Sequence, residues 1–247
     1  MPRIVRNPSA LACASALFLF LLMLSASAAQ ANRAKVDLRV IGKADKVLTE
    51  QSLVTGTTSI NTSPKATCFG KGTGGSGRSV KVNGPTALGA LNQAAGKTAS
   101  LRPLLVTDAF DFGLGVCGIG PSKGTKTLSW YLKVNHRNPE RSGEKVKIRE
   151  GDEVLWALTG FPYPEELSLV APKEATPGLP FVVQVFAYDD KGKRKPAKGA
   201  LVTGGAGPTD AKGKTSVTLA APASLRATDA KDLPSAAVPV CAAALCP

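Results

Sequence analysis

His136 is the only imidazole in the 247-residue sequence, so acid–base or nucleophilic catalysis of the common kind would have to run through it. It lies between Asn135 and Arg137, just beyond an alternating apolar segment, in what reads as a polar hairpin loop. A general base needs an orienting partner and a nucleophile within hydrogen-bond reach, and the sequence assigns neither. Asp108, Asp111, Glu165 and Glu166 are carboxylates of the kind a glycosidase pairs across its substrate, but any domain of this size carries such acids. Gly96-Lys97-Thr98 resembles the end of a phosphate loop. That motif requires glycine five residues before the Gly–Lys pair, where Leu91 stands. Asp189, Asp190 and Asp210 offer hard oxygen ligands for calcium, without EF-hand or repeat spacing. They read as turn residues beside Gly192 and Gly213. No catalytic, cofactor-binding or metal-ligating residue is assigned, and the chain is read as a non-enzyme.

Binding chemistry has more material. Lysine and arginine number 31 against 18 aspartate and glutamate, a formal charge of +13. The densest basic run is Lys191, Lys193, Arg194, Lys195 and Lys198, which suits an acidic envelope polymer. Nucleic acid is not expected, because neither interleaved stacking aromatics nor a groove-reading helix accompanies the charge. Phe110, Phe112, Trp130 and Tyr131 are candidates to line a groove, with Trp130 better suited to the core.

The compartment follows from the first 31 residues. Arg3 and Arg6 precede an apolar run from Ala10 to Leu24, and Ala29-Gln30-Ala31 fits the small-x-small cleavage rule. The expectation is a cleaved signal peptide, no later membrane span and a secreted product, held at the cell exterior by charge. Cys13 leaves with the leader. Cys68, Cys117, Cys241 and Cys246 remain, an even count that suggests disulfides in an oxidising compartment. Four cysteines allow three connectivities; Cys68–Cys117 and Cys241–Cys246 are preferred because each pair falls within one module.

The elements that would position these residues read as two modules in series, residues 32–160 and 161–247. Val36, Leu38 and Val40 alternate with Asp37 and Arg39, and residues 47–54 form a second strand. Residues 79–82 resume a strand after a glycine-rich loop. Pro85 suits the opening of a short helix, with Leu88, Leu91 and Ala95 on its inner face and Gly96 as its cap. An irregular stretch follows. Trp130, Leu132 and Val134 then alternate with Ser129, Tyr131 and Lys133, and Val154, Trp156 and Leu158 repeat the pattern. Beyond Tyr163-Pro164 six short strands are expected, over 167–170, 181–188, 200–203, 215–220, 225–228 and 237–240. The fold class is mainly β with one short helix.

Three segments carry a family likeness: Thr86-Ala87-Leu88-Gly89-Ala90-Leu91, Trp130-Tyr131-Leu132-Lys133-Val134-Asn135, and Gly151-Asp152-Glu153-Val154-Leu155-Trp156. In their order and spacing, over roughly residues 36–159, the chain resembles the secreted β-grasp family related to the C-terminal β-domain of transcobalamin and intrinsic factor. It departs from that family in having His136 where glycine is usual, and it lacks the α-helical barrel that clamps cobalamin. The resemblance implies a binding module without naming its ligand. The second module resembles an immunoglobulin-like or carboxypeptidase-regulatory-like sandwich, through Gly199-Ala200-Leu201-Val202 and Thr209-Asp210-Ala211-Lys212-Gly213. The function expected is an exported, non-catalytic binding or surface-presentation protein. The alternatives are a corrinoid-like small-molecule carrier with its ligand between the modules, and a secreted hydrolase using His136 or a carboxylate pair.

Overall fold

The computed structural model describes residues 32–243. The expected signal peptide and Cys246, with the proposed Cys241–Cys246 bridge, lie outside the described residues. The chain opens with β1 (Arg33–Ile41), β2 (Val47–Gly56), β3 (Thr58–Asn61) and β4 (Ser79–Val82), then the helix α1 (Ala87–Lys97). Next come β5 (Leu104–Phe110), β6 (Gly113–Ile119), β7 (Ser122–Lys123), β8 (Ser129–Val134) and β9 (Glu153–Thr159). The second module holds β10 (Glu166–Val170), β11 (Pro180–Tyr188), β12 (Arg194–Pro196) and β13 (Leu201–Val202). It ends with β14 (Lys214–Thr218), β15 (Ala223–Leu225), β16 (Ala227–Thr228) and β17 (Val238–Val240). The protein is mainly β with a single short α-helix among the described residues.

The first sheet runs β2-β1-β9-β8, antiparallel at its flanks and parallel at its centre, where Asp37–Ile41 pairs with Glu153–Ala157. Alternation along β1 turns Val36, Leu38 and Val40 toward α1, whose Leu88 and Leu91 are fully buried against them. Pro85 lies just before the first turn rather than in it: Thr86 is the N-cap, its hydroxyl accepting from the Gly89 amide at 3.0 Å. Gly96 does not end it; the helix runs one residue further and Thr98 is the C-cap. The stretch expected to be irregular contains the β5–β6 hairpin. Register shifts at Cys117 and at Asp108-Ala109 interrupt the alternation there and hide it in the sequence.

The opposite face of the sheet would meet solvent in an isolated module. Here Ile41, Leu155 and Ala157 pack on Leu233 of the second module. That covering explains why the last four residues of β1 are all buried, instead of alternating. The second module keeps its own core, with Leu167, Val183, Val185, Val217 and Leu225 at its centre. All six expected strand regions contain strand, though 225–228 spans parts of β15 and β16. Strand β12 was not foreseen, because Arg194, Lys195 and Pro196 carry no apolar signal.

Close packing fixes one glycine for steric reasons alone. A Cβ at Gly143 would stand 2.7 Å from Trp156 Cζ2 and 3.1 Å from Leu88 Cβ, both in the core. Gly143→Ala is therefore expected to cost about 1–3 kcal/mol by overpacking, read from the midpoint of denaturant unfolding.

Candidate binding site

Phe110 closes β5, Phe112 occupies the following turn, and Phe69 follows Cys68 directly. The Cys68–Cys117 disulfide ties the long 62–78 loop to β6 and brings the three rings together. Phe110 and Phe112 stack at 4.9 Å between centroids, and Phe69 lies 6.2 Å from Phe110. Phe112 is 61% and Phe69 53% exposed, an apolar surface that folding alone does not require. Trp130, Tyr131 and Leu132 of β8 form the facing wall, and Asn138, Glu140, Arg141 and Ser142 form a polar rim. They enclose a groove of about 620 Å³. Trp130 Nε1 is buried without a hydrogen-bond partner among the described residues, whereas Tyr131 Oη is buried beside Asp190 and Asn138. Burial pushes the Tyr131 phenol well above its ordinary range, and the nearby Asp190 carboxylate adds to the shift. The four aromatics singled out from sequence thus line one groove. Phe69, Asn138 and Arg141 were missed, since only the disulfide and the chain reversal after β8 bring them there.

A second cleft, about 510 Å³, lies between the modules. At its floor Arg39 of β1 pairs with Glu166 of β10 and donates to the Pro234 carbonyl. Arg39 is 6% and Glu166 2% exposed. Burial pushes the Glu166 carboxyl up, but contacts with His136 and the charges of Arg39, His136 and Lys133 outweigh it, so the group titrates below its ordinary range. His136 Nδ1 lies 3.0 Å from Glu166 Oε2, Nε2 lies 3.8 Å from Glu153, and the ring stacks on Tyr188 at 3.9 Å. Asn135 and His136 both take positive φ between the mutually bonded Val134 and Arg137, a two-residue hairpin turn that aims the imidazole at the second module. Lys133, wholly buried, donates to the carbonyls of Tyr188 (3.2 Å) and Asp189 (3.4 Å) and lies 3.5 Å from Asp190. Arg226 pairs with Glu50, which also accepts from the Ala237 amide at 2.6 Å. These charges satisfy one another across the junction. The cleft is built as a joint.

The remaining candidates fall apart in space. Lys191, Lys193, Arg194, Lys195 and Lys198 are all exposed on and beyond the β11–β12 hairpin. Lys195 is held by Glu165 at 2.9 Å and Arg194 lies over the Phe186 ring at 4.6 Å, which leaves Lys191, Lys193 and Lys198 without an ion pair among the described residues. Asp189 accepts from the amides of Lys191 and Lys193, and Asp210 from those of Lys212 and Lys214. Each aspartate is spent on its own turn. Asp108 accepts from Ser76, whose hydroxyl and amide hold its carboxyl below the usual range. The carboxylates of the hydrolase reading therefore do not converge: Asp108 has Ser76, Glu165 has Lys195, Glu166 has Arg39, and Asp111 is exposed in the turn between β5 and β6. Among the described residues no helix is long and apolar enough to cross a membrane.

Comparison with known proteins adds no neighbour: no family model, no curated protein and no solved structure matches the chain.

Proposed function

We propose that this is an exported, non-catalytic binding protein whose ligand occupies the aromatic groove of the first module. The observation that carries the reading is the exposed Phe69–Phe110–Phe112 cluster facing Trp130 and Tyr131 across a pocket that buries the Trp130 indole N–H without a partner among the described residues. An apolar pocket with a few polar groups is the common form of a ligand site. The unpaired cations of the β11–β12 hairpin support weak retention on an acidic envelope polymer, and the Cys68–Cys117 bridge fits a product that leaves the cytoplasm. In this reading the first module belongs with the transcobalamin-type β-grasp units, and the second is an immunoglobulin-like support. The carrier alternative is less favoured, because the charged groups in the inter-module cleft already face one another. The hydrolase alternative meets a His136 whose contacts are two carboxylates and a ring face.

The test is a thermal-shift screen of aromatic metabolites and envelope fragments against the wild type and Phe112→Ala. A ligand at a hundredfold excess over its Kd stabilises the native state by about 2.7 kcal/mol. Phe112 is exposed, so its truncation is expected to change the unliganded protein by no more than about 0.5 kcal/mol while removing the ligand-induced shift. A hit whose shift is the same in Phe112→Ala would place binding elsewhere.

A further inference from the structure

Strand β8 is an edge: in the order β2-β1-β9-β8 its only sheet partner among the described residues is β9. Val134 and Arg137 exchange both backbone hydrogen bonds across the turn, at 2.8 and 3.0 Å, while the next amide, Asn135, points back to Glu153 of β9. In an antiparallel ladder such outward groups recur at every second residue. The N–H and C=O of Leu132 and Trp130 therefore point away from β9, as those of Val134 do. The returning chain begins a ladder on this edge at Arg137 and then abandons it. Two residues on, opposite Leu132, stands Pro139, which has no N–H to donate. Asn138, whose amide faces away from β8 in this register, donates to the Asp190 carbonyl of the second module at 2.9 Å. Among the described residues nothing beyond the β9 ladder bonds the backbone of Ser129–Leu132.

The opposite wall differs. On β6 and the turn before it, the Phe112 carbonyl accepts from Ser142 Oγ and Lys145 Nζ, and the Leu114 amide donates to Glu144 at 3.1 Å. One wall of the groove is closed by side chains and the other is left open. Edge strands are ordinarily blunted by an outward lysine, a proline or a bulge. Lys133 cannot serve here, since its amine is turned into the second module.

We infer that the groove takes an extended peptide, added as a further strand on β8 and continuing the ladder that Arg137 starts. This rests on the groove being the binding site. Its backbone would pair with Leu132 and Trp130, and alternate side chains would fall against Phe69 and Phe112. Arg141 on the rim is exposed and has no ion pair among the described residues, so an acidic residue in the peptide would meet it. A second copy of the chain fits poorly. Its own edge would bring a sheet and a covering module into a slot confined by the aromatic rings and residues 138–145.

The experiment uses the full mature chain and a pool of acetylated, amidated seven-residue peptides. They carry Val, Phe or Tyr at alternate positions and Glu, Ser or Thr between them. Amide hydrogen exchange read residue by residue is expected to slow at least about tenfold at Trp130 and Leu132, with Tyr131, already paired to β9, little changed. N-methylation of the peptide at residues in one alternation register is expected to abolish this, and in the other register to leave it. A ligand of any class that perturbs Phe112 without protecting Trp130 and Leu132 overturns strand addition and leaves the groove as a binding site. Failure of both the peptides and the metabolite screen to bind below about 1 mM overturns both. Edge protection that appears with protein concentration alone, accompanied by a doubled mass in sedimentation, assigns the slot to a second copy and overturns the peptide.

Discussion

Glu166→Ala is expected to destabilise the protein by about 3–5 kcal/mol, the usual cost of leaving the partner of a buried ion pair uncompensated. The orphan would be Arg39, which is buried and whose pKa burial already lowers against the pull of Glu166. Because a change of 1 kcal/mol moves the midpoint of a domain this size by about 2–4 °C, the melting temperature should fall by roughly 10 °C. The double variant Arg39→Met, Glu166→Leu is expected to recover most of the loss, since two apolar residues need no mutual charge. If the single variant melts within about 1 °C of the wild type, the pair does not join the modules. The same group sets the acid limit. Its folded pKa lies below its unfolded one, so its contribution is complete above the ordinary carboxylate range and drains as pH falls through the folded value. The wild type should lose stability more steeply with acidification in that window than the double variant, which lacks the titration.

Removing the Cys68–Cys117 bridge by the double replacement Cys68→Ala, Cys117→Ala is expected to cost about 4 kcal/mol, from the loop entropy restored to the unfolded chain over a separation of 49 residues. Guanidinium unfolding of the wild type with and without reductant should reproduce the difference. The loss should also reach the groove, because Phe69 is placed there by the loop that the bridge anchors. An equal midpoint under reducing and oxidising conditions would show that the bridge contributes nothing.

Much of the framework was legible in the sequence because it is local. The alternation of Val36, Leu38 and Val40, the β8 and β9 patterns and the turns at Gly192 and Gly213 each depend on a few neighbouring residues. The disulfide followed from counting within a module. What stayed hidden is long-range. Lys133 and Arg39 read as the polar residues of half-buried strands, and only the docking of the second module makes them interior. His136 read as a loop residue; that it turns to Glu166 depends on the positive φ at Asn135 and His136 and on β10 arriving from the other module. The groove was half visible in Phe110, Phe112, Trp130 and Tyr131. The role of Pro139 in leaving a strand edge open appears only once the register of the β8 turn is known.

The parallel contact between β1 and β9 sets an order of events. Asp37 meets Glu153 across it, so the middle of the sheet cannot close until more than a hundred further residues have been made. Contacts of such long sequence separation form slowly. A growing chain would therefore carry its first hairpin without its central neighbour while roughly a hundred residues are added, and that hairpin would stay pliable until β9 arrives.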